Sequence, residues 1–499
     1  MRISKKAFKG GYRFKNFKGE PEKTVTRCDM PDKIVVPLQQ GYGGEVEALV
    51  KTGDTVKAGQ IIGRSDGTLS SPAHSSVAGT VSELSKIQLG GDAINTVVIE
   101  TADGFDVSDD AILRLHGHDK HWERLQAEKL EELIYLSGAA SLDTCGIPTR
   151  FNTAMVGADD IRHIIVQCVE DELLPFSLDA VAGEYSPAQI IAGCRIIKRI
   201  MPNASATIAI SKNKKQLLSG TGAILDDDDQ MAVMEVSDRY PQSRDEVLVP
   251  TVLGGGFPYG FEAVQMGVLV VSLQTVCHVY DAVANGIPVL ERIISVCGTG
   301  FENNIHVKTP VGTMGANIIG AFCKTNVEDG AIRYVYDSLL TGPTISDTEL
   351  PIARTCRSIY AIKEAPTTEL FSFASPGFAK DSYSNTFPTF RAPFAKNLDT
   401  NIHGEARACL SCSFCVDSCP VGILPNLIHR YVERDLVEEN LQELGIFRCI
   451  DCNLCTYVCP SKIPVAGLVK KGKDMLKNDG INDDDKYQSE FALRGTENR

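Results

Sequence analysis

Residues 409–420 read C-L-S-C-S-F-C-V-D-S-C-P, and residues 449–460 read C-I-D-C-N-L-C-T-Y-V-C-P. Both stretches follow one pattern: three cysteines stand at every third position, a fourth follows four residues later, and a proline comes next. Cysteines at this spacing wrap a tight loop around one face of an iron–sulfur cubane. The two stretches therefore predict two [4Fe–4S] centres near the C-terminus.

The pattern resembles that of bacterial two-cluster ferredoxins, in which the fourth cysteine of each run ligates the other cluster. By that rule cluster 1 is held by Cys409, Cys412, Cys415 and Cys459, and cluster 2 by Cys449, Cys452, Cys455 and Cys419. Structural zinc and disulfides are the alternatives. Zinc sites usually present two separated pairs of ligands, and the other eight cysteines are scattered in a chain without an export signal.

Composition restricts the class of protein. A chain of 499 residues predicts roughly three or four domains. The net charge of −14 argues against general nucleic-acid binding, which needs a basic surface. The sequence contains no apolar run of the length that spans a bilayer. Its first acidic residue is Glu20, so the basic N-terminus is interpreted either as an exposed tail or as a docking arm for an anionic partner.

The N-terminal part reads as short strands separated by turns. Residues 50–60, V-K-T-G-D-T-V-K-A-G-Q, resemble the biotinyl and lipoyl carrier fold. Those carriers present a modifiable lysine at a hairpin tip, whereas the corresponding residues 70–76 contain none. We therefore predict a carrier-like barrel-sandwich hybrid over residues 1–110 without covalent biotin or lipoate.

The remaining chain divides into further units. Helical and strand patterns alternate over residues 125–260 and predict an α/β domain, with a helix from Ser186 and Pro187 to Ile200. Residues 371–406 contain six phenylalanines and are interpreted as a connector. The ferredoxin domain is placed at 407–470, with an amphipathic helix from Pro425 to Leu444 covering the clusters, and residues 471–499 form a polar tail.

The order of these modules resembles the C subunit of the Rnf electron-transport complex. Residues 8–11, 72–81, 240–242 and 281–292 also carry the resemblance. It implies a multidomain α+β fold, with an α/β domain similar to the flavin subunit of respiratory complex I and a β-grasp-like (SLBB) segment over residues 261–350. It further implies a peripheral protein on the cytoplasmic side of the membrane. That protein would carry FMN, meet NAD(H) and pass electrons through its clusters to the membrane subunits of an ion-translocating ferredoxin:NAD oxidoreductase.

The family's flavin loop reads roughly G-L-G-G-A-G-F-P-T and falls on residues 141–149, S-L-D-T-C-G-I-P-T. The resemblance assigns FMN or NAD contacts to Gly146, Thr149, Glu170 and Glu172. Three loop glycines are replaced by Ser141, Asp143 and Thr144. Glycines let backbone amides close on an anion, and Asp143 would repel a phosphate. The resemblance thus implies that the chain binds FMN, whereas the residues of this loop argue against FMN binding. The sequence leaves both alternatives open.

Three functions fit these observations. The first is an electron-transfer subunit of a membrane-associated Rnf-type oxidoreductase, whose donor is nicotinamide and flavin or another protein. The second is a soluble iron–sulfur reductase or relay that feeds a substrate or corrinoid reductase. The third is a structural protein whose clusters hold the fold. The sequence identifies no catalytic side chain in any of them.

Overall fold

The computed structural model describes residues 3–5, 8–15, 17–89, 92–104, 111–212, 214, 217, 231–322, 332–345, 350–363, 406–438, 440–481 and 491–492. Residues 371–405 of the predicted connector lie outside these ranges, as does most of the predicted tail. The described residues form a β unit, a parallel α/β unit, a mixed β-sheet unit and a C-terminal helical unit. This arrangement confirms the predicted multidomain α+β fold.

The N-terminal unit contains two small sheets built from short strands. Strands β1 (Ile3–Lys5) and β2 (Val25–Arg27) leave it to pair with the other sheets. The unit itself consists of β3 (Lys33–Pro37), β4 (Glu47–Ala48), β5 (Thr55–Val56), β6 (Ile61–Arg64), β7 (Ala73–His74), β8 (Gly79–Leu89) and β9 (Asp92–Thr101). Four strands pair in the order β3-β9-β8-β5 and three in the order β4-β6-β7. Their inward-facing residues, such as Ile34, Val36 and Ile62, are fully buried and form a separate core.

The α/β unit is built around a five-stranded sheet of order β1-β12-β11-β10-β14, in which every pair is parallel. Its elements are α1 (Ala127–Ser137), β10 (His163–Cys168), α2 (Leu178–Glu184), α3 (Pro187–Ile200), β11 (Ser205–Ser211), β12 (Met231–Val236), α4 (Asp245–Leu253), β13 (Gly256–Phe257), β14 (Val268–Ser272) and α5 (Leu273–Tyr280). The central strands β10, β11 and β14 are largely apolar and buried, as is typical of a parallel sheet that is covered on both faces.

Helix α3 confirms the predicted start and end at Pro187 and Ile200. The Ser186 hydroxyl accepts the backbone N–H of Gln189 at 3.3 Å, and the backbone N–H of Ser186 donates to the Gln189 side chain at 2.7 Å. This reciprocal capping box satisfies two donors that the first helical turn leaves free. The local sequence therefore sets the beginning of this helix.

The mixed sheet follows the α/β unit. It contains β15 (Glu291–Cys297), β16 (Ile305–Pro310), β17 (Ile332–Tyr336), β18 (Thr344–Ile345) and β19 (Ser358–Lys363), with α6 (Gly315–Phe322) after the first hairpin. The strand order is β18-β17-β19-β15-β16-β2, and β15 pairs with β19 in parallel. The predicted division at residue 260 cuts the parallel sheet, because β14 pairs with β10. The α/β unit thus extends past residue 260, and the mixed sheet begins at Glu291.

The C-terminal unit consists of short helices around the cysteine runs. These are α7 (Phe414–Ser418), α8 (Pro425–Val432), α9 (Asn440–Glu443), α10 (Leu454–Tyr457) and α11 (Val465–Asn478), and the two-residue strand β20 (Phe491–Ala492) pairs with β13. Helix α11 continues past the predicted domain limit at residue 470. No described helix is long and apolar enough to cross a bilayer.

The predicted helix from Pro425 to Leu444 is wrong in its extent, because α8 ends at Val432. Asp435 adopts a φ of 53°. The N–H of Leu436 donates to the carbonyl of Tyr431 at 3.0 Å, and the N–H of Asp435 donates to that of Val432 at 3.1 Å. This pair of bonds is a Schellman motif, which ends a helix at a residue of left-handed conformation.

The N-terminal residues 8–15 pack against the C-terminal unit. The N–H of Gly11 donates to the carbonyl of Ser418 at 2.8 Å, and the Tyr12 ring lies 5.6 Å from that of Tyr457. A side chain on Gly10 would come within 2.8 Å of the Cys419 carbonyl oxygen. This part of the basic N-terminus is therefore an element of the interface between units and not an exposed tail.

Candidate functional site

The two cysteine runs adopt the same backbone. Ser411 and Ser413 in the first run, and Asp451 and Asn453 in the second, have φ angles between 52° and 63°. These residues alternate with the first three cysteines of each run. Successive left-handed and right-handed residues turn backbone N–H groups toward one side and form a concave anion-binding nest. Each run can therefore surround a negatively charged cluster with amide donors.

The folded chain brings the fourth cysteine of each run to the other run. Cys459 lies within electrostatic range of Cys409 and Cys412, and Cys415 has Cys459 among its charged neighbours. Cys419 in turn lies near Cys449 and Cys452. No three His, Cys, Asp or Glu side chains of the described residues converge as the ligands of a single metal ion do. The ligand assignment therefore depends on this adjacency and on the motif.

We call Cys419, Cys449, Cys452 and Cys455 the inner group, because the α/β unit covers them. The Tyr240 hydroxyl donates to the Cys452 carbonyl at 2.9 Å, and the Arg244 guanidinium donates to the Ile450 carbonyl at 2.9 Å. The Asn453 amide donates to the Leu340 carbonyl at 2.6 Å. These contacts attach the second cysteine loop to the α/β unit through Tyr240 and Arg244 and to the mixed-sheet unit through Leu340. Sequence reasoning missed Arg244, since nothing in its local spacing points to a contact with residue 450.

The remaining four cysteines, Cys409, Cys412, Cys415 and Cys459, form the outer group. Cys412 is exposed, and its neighbour Leu410 is 70% exposed. The Arg430 guanidinium donates to the Cys409 sulfur at 3.2 Å and to the Ser411 hydroxyl at 2.6 Å. The two groups thus differ in environment: two inner cysteines are buried and two half-buried, whereas no outer cysteine is buried and Cys412 is exposed.

Burial changes the acidity of these thiols. It raises the pKa of Cys452 and of Cys449 to about 12 and that of Cys419 to about 11. A buried thiolate is costly without a cation, so the protein alone keeps these thiols protonated. Binding of iron supplies the missing positive charge and releases the protons. The donor set, with its two amide nests, fits two [4Fe–4S] clusters.

A cavity of about 360 Å³ lies beyond the carboxyl ends of β10 and β14. Open α/β sheets bind their ligands at this edge, and the volume lies within the range of small-molecule sites. Of the four residues to which the resemblance assigns cofactor contacts, Glu170 and Glu172 line this cavity, and Gly146 and Thr149 are not among its lining residues.

Gly146 and Thr149 instead close the loop on itself. A side chain at Gly146 would lie 1.7 Å from the Thr153 carbonyl oxygen, so the backbone passes too closely for any other residue. The Thr149 hydroxyl lies 3.0 Å from that of Thr153. The structure therefore gives these two residues a role in loop packing and separates them from Glu170 and Glu172.

The wall of this cavity does not fit the phosphate of FMN. The Asp143 carboxylate lines the cavity and accepts the backbone N–H of Ser272 at 3.0 Å. The Thr144 hydroxyl donates to Asp245 at 2.6 Å. The lining contains five carboxyl groups and two guanidinium groups. An anion at this edge would therefore meet the Asp143 carboxylate, and the amide donor at Ser272 is already taken.

Several carboxyl groups around the cavity have altered acidity. Burial, together with the charge of Asp171, raises the pKa of Glu172 to about 7. Burial also raises the pKa of Asp171 to about 6 and that of Asp245 to about 7. These groups change charge close to neutral pH, so the charge of the cavity depends on pH.

The shift at Glu172 predicts a pH-dependent stability. Its folded-state pKa of about 7 lies above the ordinary value of 4.5, so the stability it contributes is complete at low pH and is lost as the pH rises through about 7. The Glu172→Gln variant stays neutral and should gain stability relative to the wild type at about pH 8 but not at about pH 5. Urea unfolding at both pH values checks this. The exposed Glu128→Gln variant is the control, and an equal difference at both pH values would contradict the prediction.

Three family models match the chain. They are described as RnfC Barrel sandwich hybrid domain over residues 6–104, Nuo51 FMN-binding domain over residues 138–281, and 4Fe-4S dicluster domain over residues 408–464. The third match confirms the prediction of two [4Fe–4S] clusters. The second match makes FMN a possible cofactor, because the matched domain is described as FMN-binding. The side chains described above, however, do not fit the phosphate of FMN.

Two relatives resemble most of the chain. The C subunit of the ion-translocating oxidoreductase complex of Klebsiella pneumoniae is 26% identical over 428 residues, which cover 85% of this chain and 51% of that protein. The C subunit of the proton-translocating ferredoxin:NAD(+) oxidoreductase complex of Clostridium ljungdahlii is 22% identical over 443 residues, which cover 88% of each. The chain thus spans about half the length of the Klebsiella relative.

Solved structures add a more distant likeness. The NAD+-reducing [NiFe]-hydrogenase in its H2-reduced state matches with a TM-score of 0.35 and 14% identity, covering 51% of this chain and 53% of that one. The same enzyme in its air-oxidized state has a TM-score of 0.35 and 17% identity, covering 50% and 52%. At this TM-score the two folds are too different for a comparison of sites.

Proposed function

Because the chain belongs to the RnfC family, we propose that it is the electron-transferring C subunit of a membrane-associated Rnf-type oxidoreductase. In this role it passes electrons through two [4Fe–4S] clusters to membrane subunits of the complex. It lies at the cytoplasmic face as a peripheral subunit. The observation that carries the proposal is the pairing of an inner cysteine group, covered by the α/β unit, with an outer group at the surface.

We assign the cluster ligands as the motif predicts. Cys409, Cys412, Cys415 and Cys459 hold cluster 1, and Cys449, Cys452, Cys455 and Cys419 hold cluster 2. When bound, [4Fe–4S] clusters supply one-electron transfer. The residues of the chain fix and insulate these sites: Tyr240 and Arg244 hold the inner loop, and the buried Ile428 and Val432 of α8 exclude water. The outer group leaves Cys412 exposed, as exchange with a partner requires.

The alternative is a soluble reductase or relay that feeds a substrate or corrinoid reductase. The names of both relatives favour the Rnf-type role, since each is the C subunit of an ion- or proton-translocating complex. The order of the three matched domains along the chain agrees with the same role. A purely structural role for the clusters does not account for the surface position of the outer group.

The test of this function compares two cysteine variants after anaerobic purification. Cys412→Ala should lose about four of about eight irons per chain, together with its electron throughput from a viologen donor to an acceptor. Cys168→Ala should keep both, because Cys168 is buried in β10 among apolar residues. Iron and sulfide quantification and anaerobic reduction assays measure these results. Equal iron loss in the two variants would refute the ligand assignment, and two full clusters without throughput would refute electron transfer as the function.

A further inference from the structure

We infer that the cavity beside Asp143 does not hold FMN, and that the chain therefore exchanges electrons singly with one-electron carriers and not directly with NADH. This inference rests on the proposed electron-transfer function and specifies the donor. It departs from the nicotinamide and flavin donor that the family resemblance implies.

The first support is the occupied amide donor at the cavity edge. A phosphate at this edge would need the free N–H groups that precede helix α5. The Asp143 carboxylate accepts the N–H of Ser272 at 3.0 Å, and the Ser272 hydroxyl accepts the N–H of Thr275 at 3.2 Å. The chain thus caps this helix with its own side chains. A phosphate would have to displace the Asp143 carboxylate, which belongs to the protein and cannot leave the site.

The second support is the charge of the wall. Its five carboxyl groups are Asp143, Glu170, Asp171, Glu172 and Asp337. Glu170 is paired with Lys214, and Glu172, with a pKa of about 7, is only partly ionised at neutral pH. Asp143 lies 3.7 Å from Arg357 and remains the carboxylate at the edge of the cavity. FMN would bring a phosphate with roughly two negative charges to this surface. The Asp143 carboxylate at the cavity edge would repel this phosphate.

Arg292 is the feature of the wall that could favour an anion. It is 3% exposed, and its Nε and Nη1 atoms have no hydrogen-bond partner among the described residues. Burial and the charge of Arg357 lower the pKa of Arg292 to about 10. Asp143 and Asp337, in contrast, favour its charged form. Asp143 and Asp337 thus offset part of the charge of Arg292, and both carboxylates already belong to the protein.

Most of the other polar groups at the cavity are also satisfied internally. Glu170 forms an ion pair with Lys214 at 2.9 Å and accepts the N–H of Leu178 at 2.6 Å. The Ser338 hydroxyl donates to Glu172 at 3.1 Å. These side chains stabilise the protein without a cofactor.

The inability to hold FMN determines the kind of donor. NADH gives up two electrons together as a hydride, and a flavin is the usual group that divides them. A [4Fe–4S] cluster accepts one electron at a time. A chain without flavin therefore exchanges electrons with one-electron carriers, and the donor protein loses one electron for each that the chain gains, without transfer of hydride or proton.

The experiment uses the full chain, reconstituted anaerobically to about eight irons. Reduced methyl viologen, NADH, and NADH with excess FMN are added separately, and loss of the visible absorption of the clusters is followed. FMN binding is measured by quenching of its fluorescence. We expect bleaching by viologen and none by NADH alone. With FMN present, bleaching should be no faster than the reduction of free FMN by NADH in a mixture without the protein, and FMN fluorescence should not be quenched.

The possible outcomes separate the inference from the proposed function. Stoichiometric FMN after purification, or rapid bleaching by NADH, would overturn the inference about the donor. Failure of viologen to bleach the clusters would instead overturn the proposed function.

Variants of Asp143 distinguish two effects of this residue on FMN affinity: the repulsion by its charge, and its hydrogen bond to the Ser272 N–H. Asp143→Gly removes both the carboxylate and its hydrogen bond, and FMN affinity should rise at least about tenfold, as a difference of about 1.4 kcal/mol produces. Asp143→Asn keeps an acceptor for the N–H and removes the charge, so its affinity should lie between those of the wild type and the glycine variant. The exposed Asp159→Asn variant is the matched control. The inference would be contradicted if the wild type bound FMN as tightly as Asp143→Gly does. If the glycine variant does not fold, the comparison of the wild type with Asp143→Asn provides the same test.

Discussion

The double variant Cys409→Ala/Cys419→Ala should lose both clusters, whereas Cys409→Ala/Cys459→Ala should lose one. If ligands are exchanged between the runs, Cys409 and Cys459 serve the same cluster, and Cys409 and Cys419 serve different ones. The expected iron contents are about zero for the first double variant and about four for the second. Iron and sulfide analysis of anaerobically purified protein measures both.

The reciprocal pair provides the control. Cys449→Ala/Cys419→Ala should retain about four irons and Cys449→Ala/Cys459→Ala about none. A chain in which each run holds its own cluster would give the opposite result in all four double variants. The spatial neighbours support exchange, since Cys459 lies near Cys409 and Cys412 and Cys419 lies near Cys449. Comparison within pairs also removes any general effect of losing two cysteines on folding.

Local sequence predicted the features that depend on neighbours along the chain. The cysteine spacing indicated the cluster loops, and Ser186 with Pro187 indicated the start of α3, because capping depends on a few adjacent residues. The same kind of reasoning gave the wrong extent to the helix that starts at Pro425. Its apolar spacing continues, but Asp435 accepts a left-handed conformation and the Schellman bonds end the helix at Val432.

Features that depend on distant residues were harder to predict. Glu170 and Glu172 reach the cavity because they follow a strand of the parallel sheet, and this position follows from topology. Gly146 and Thr149 were assigned from the motif alone, and the structure uses both for loop packing. The contact of residues 8–15 with the cysteine unit joins segments that are about 400 residues apart in the sequence, and neither segment carries a local signal for it.

The inner and outer cysteine groups show how packing separates two nearly identical motifs. Both runs have the same spacing and the same left-handed residues, so their different surroundings do not come from the loops themselves. The inner loop is covered because Tyr240, Arg244 and Leu340 contact it from other units. Burial and nearby charge set the potentials of iron–sulfur centres, so these contacts, rather than the motif, can make the two clusters functionally different.

Arg244 offers the sharpest test of that difference. The Arg244→Met variant removes the donor to the Ile450 carbonyl and a positive charge beside the inner group. Loss of a charged hydrogen bond should lower the free energy of unfolding by about 2 kcal/mol. Loss of the positive charge should lower the reduction potential of the inner cluster, because that charge favours the more negative reduced state. It should also raise the pKa values of Asp171 and Glu172, which the Arg244 charge lowers.

Reduction potentials and stabilities of three variants separate the positional and electrostatic roles of Arg244. Redox titration followed by electron paramagnetic resonance should show one shifted and one unshifted cluster, since the outer group has Arg430 as its own basic neighbour. Arg244→Lys retains the charge and should restore most of the potential while recovering less of the stability, because an ammonium cannot reproduce the guanidinium fork. The exposed Arg434→Met variant controls for net charge. A stability loss with both potentials unchanged would show that Arg244 only attaches the loop, and an equal shift of both clusters would contradict the distinction between inner and outer groups.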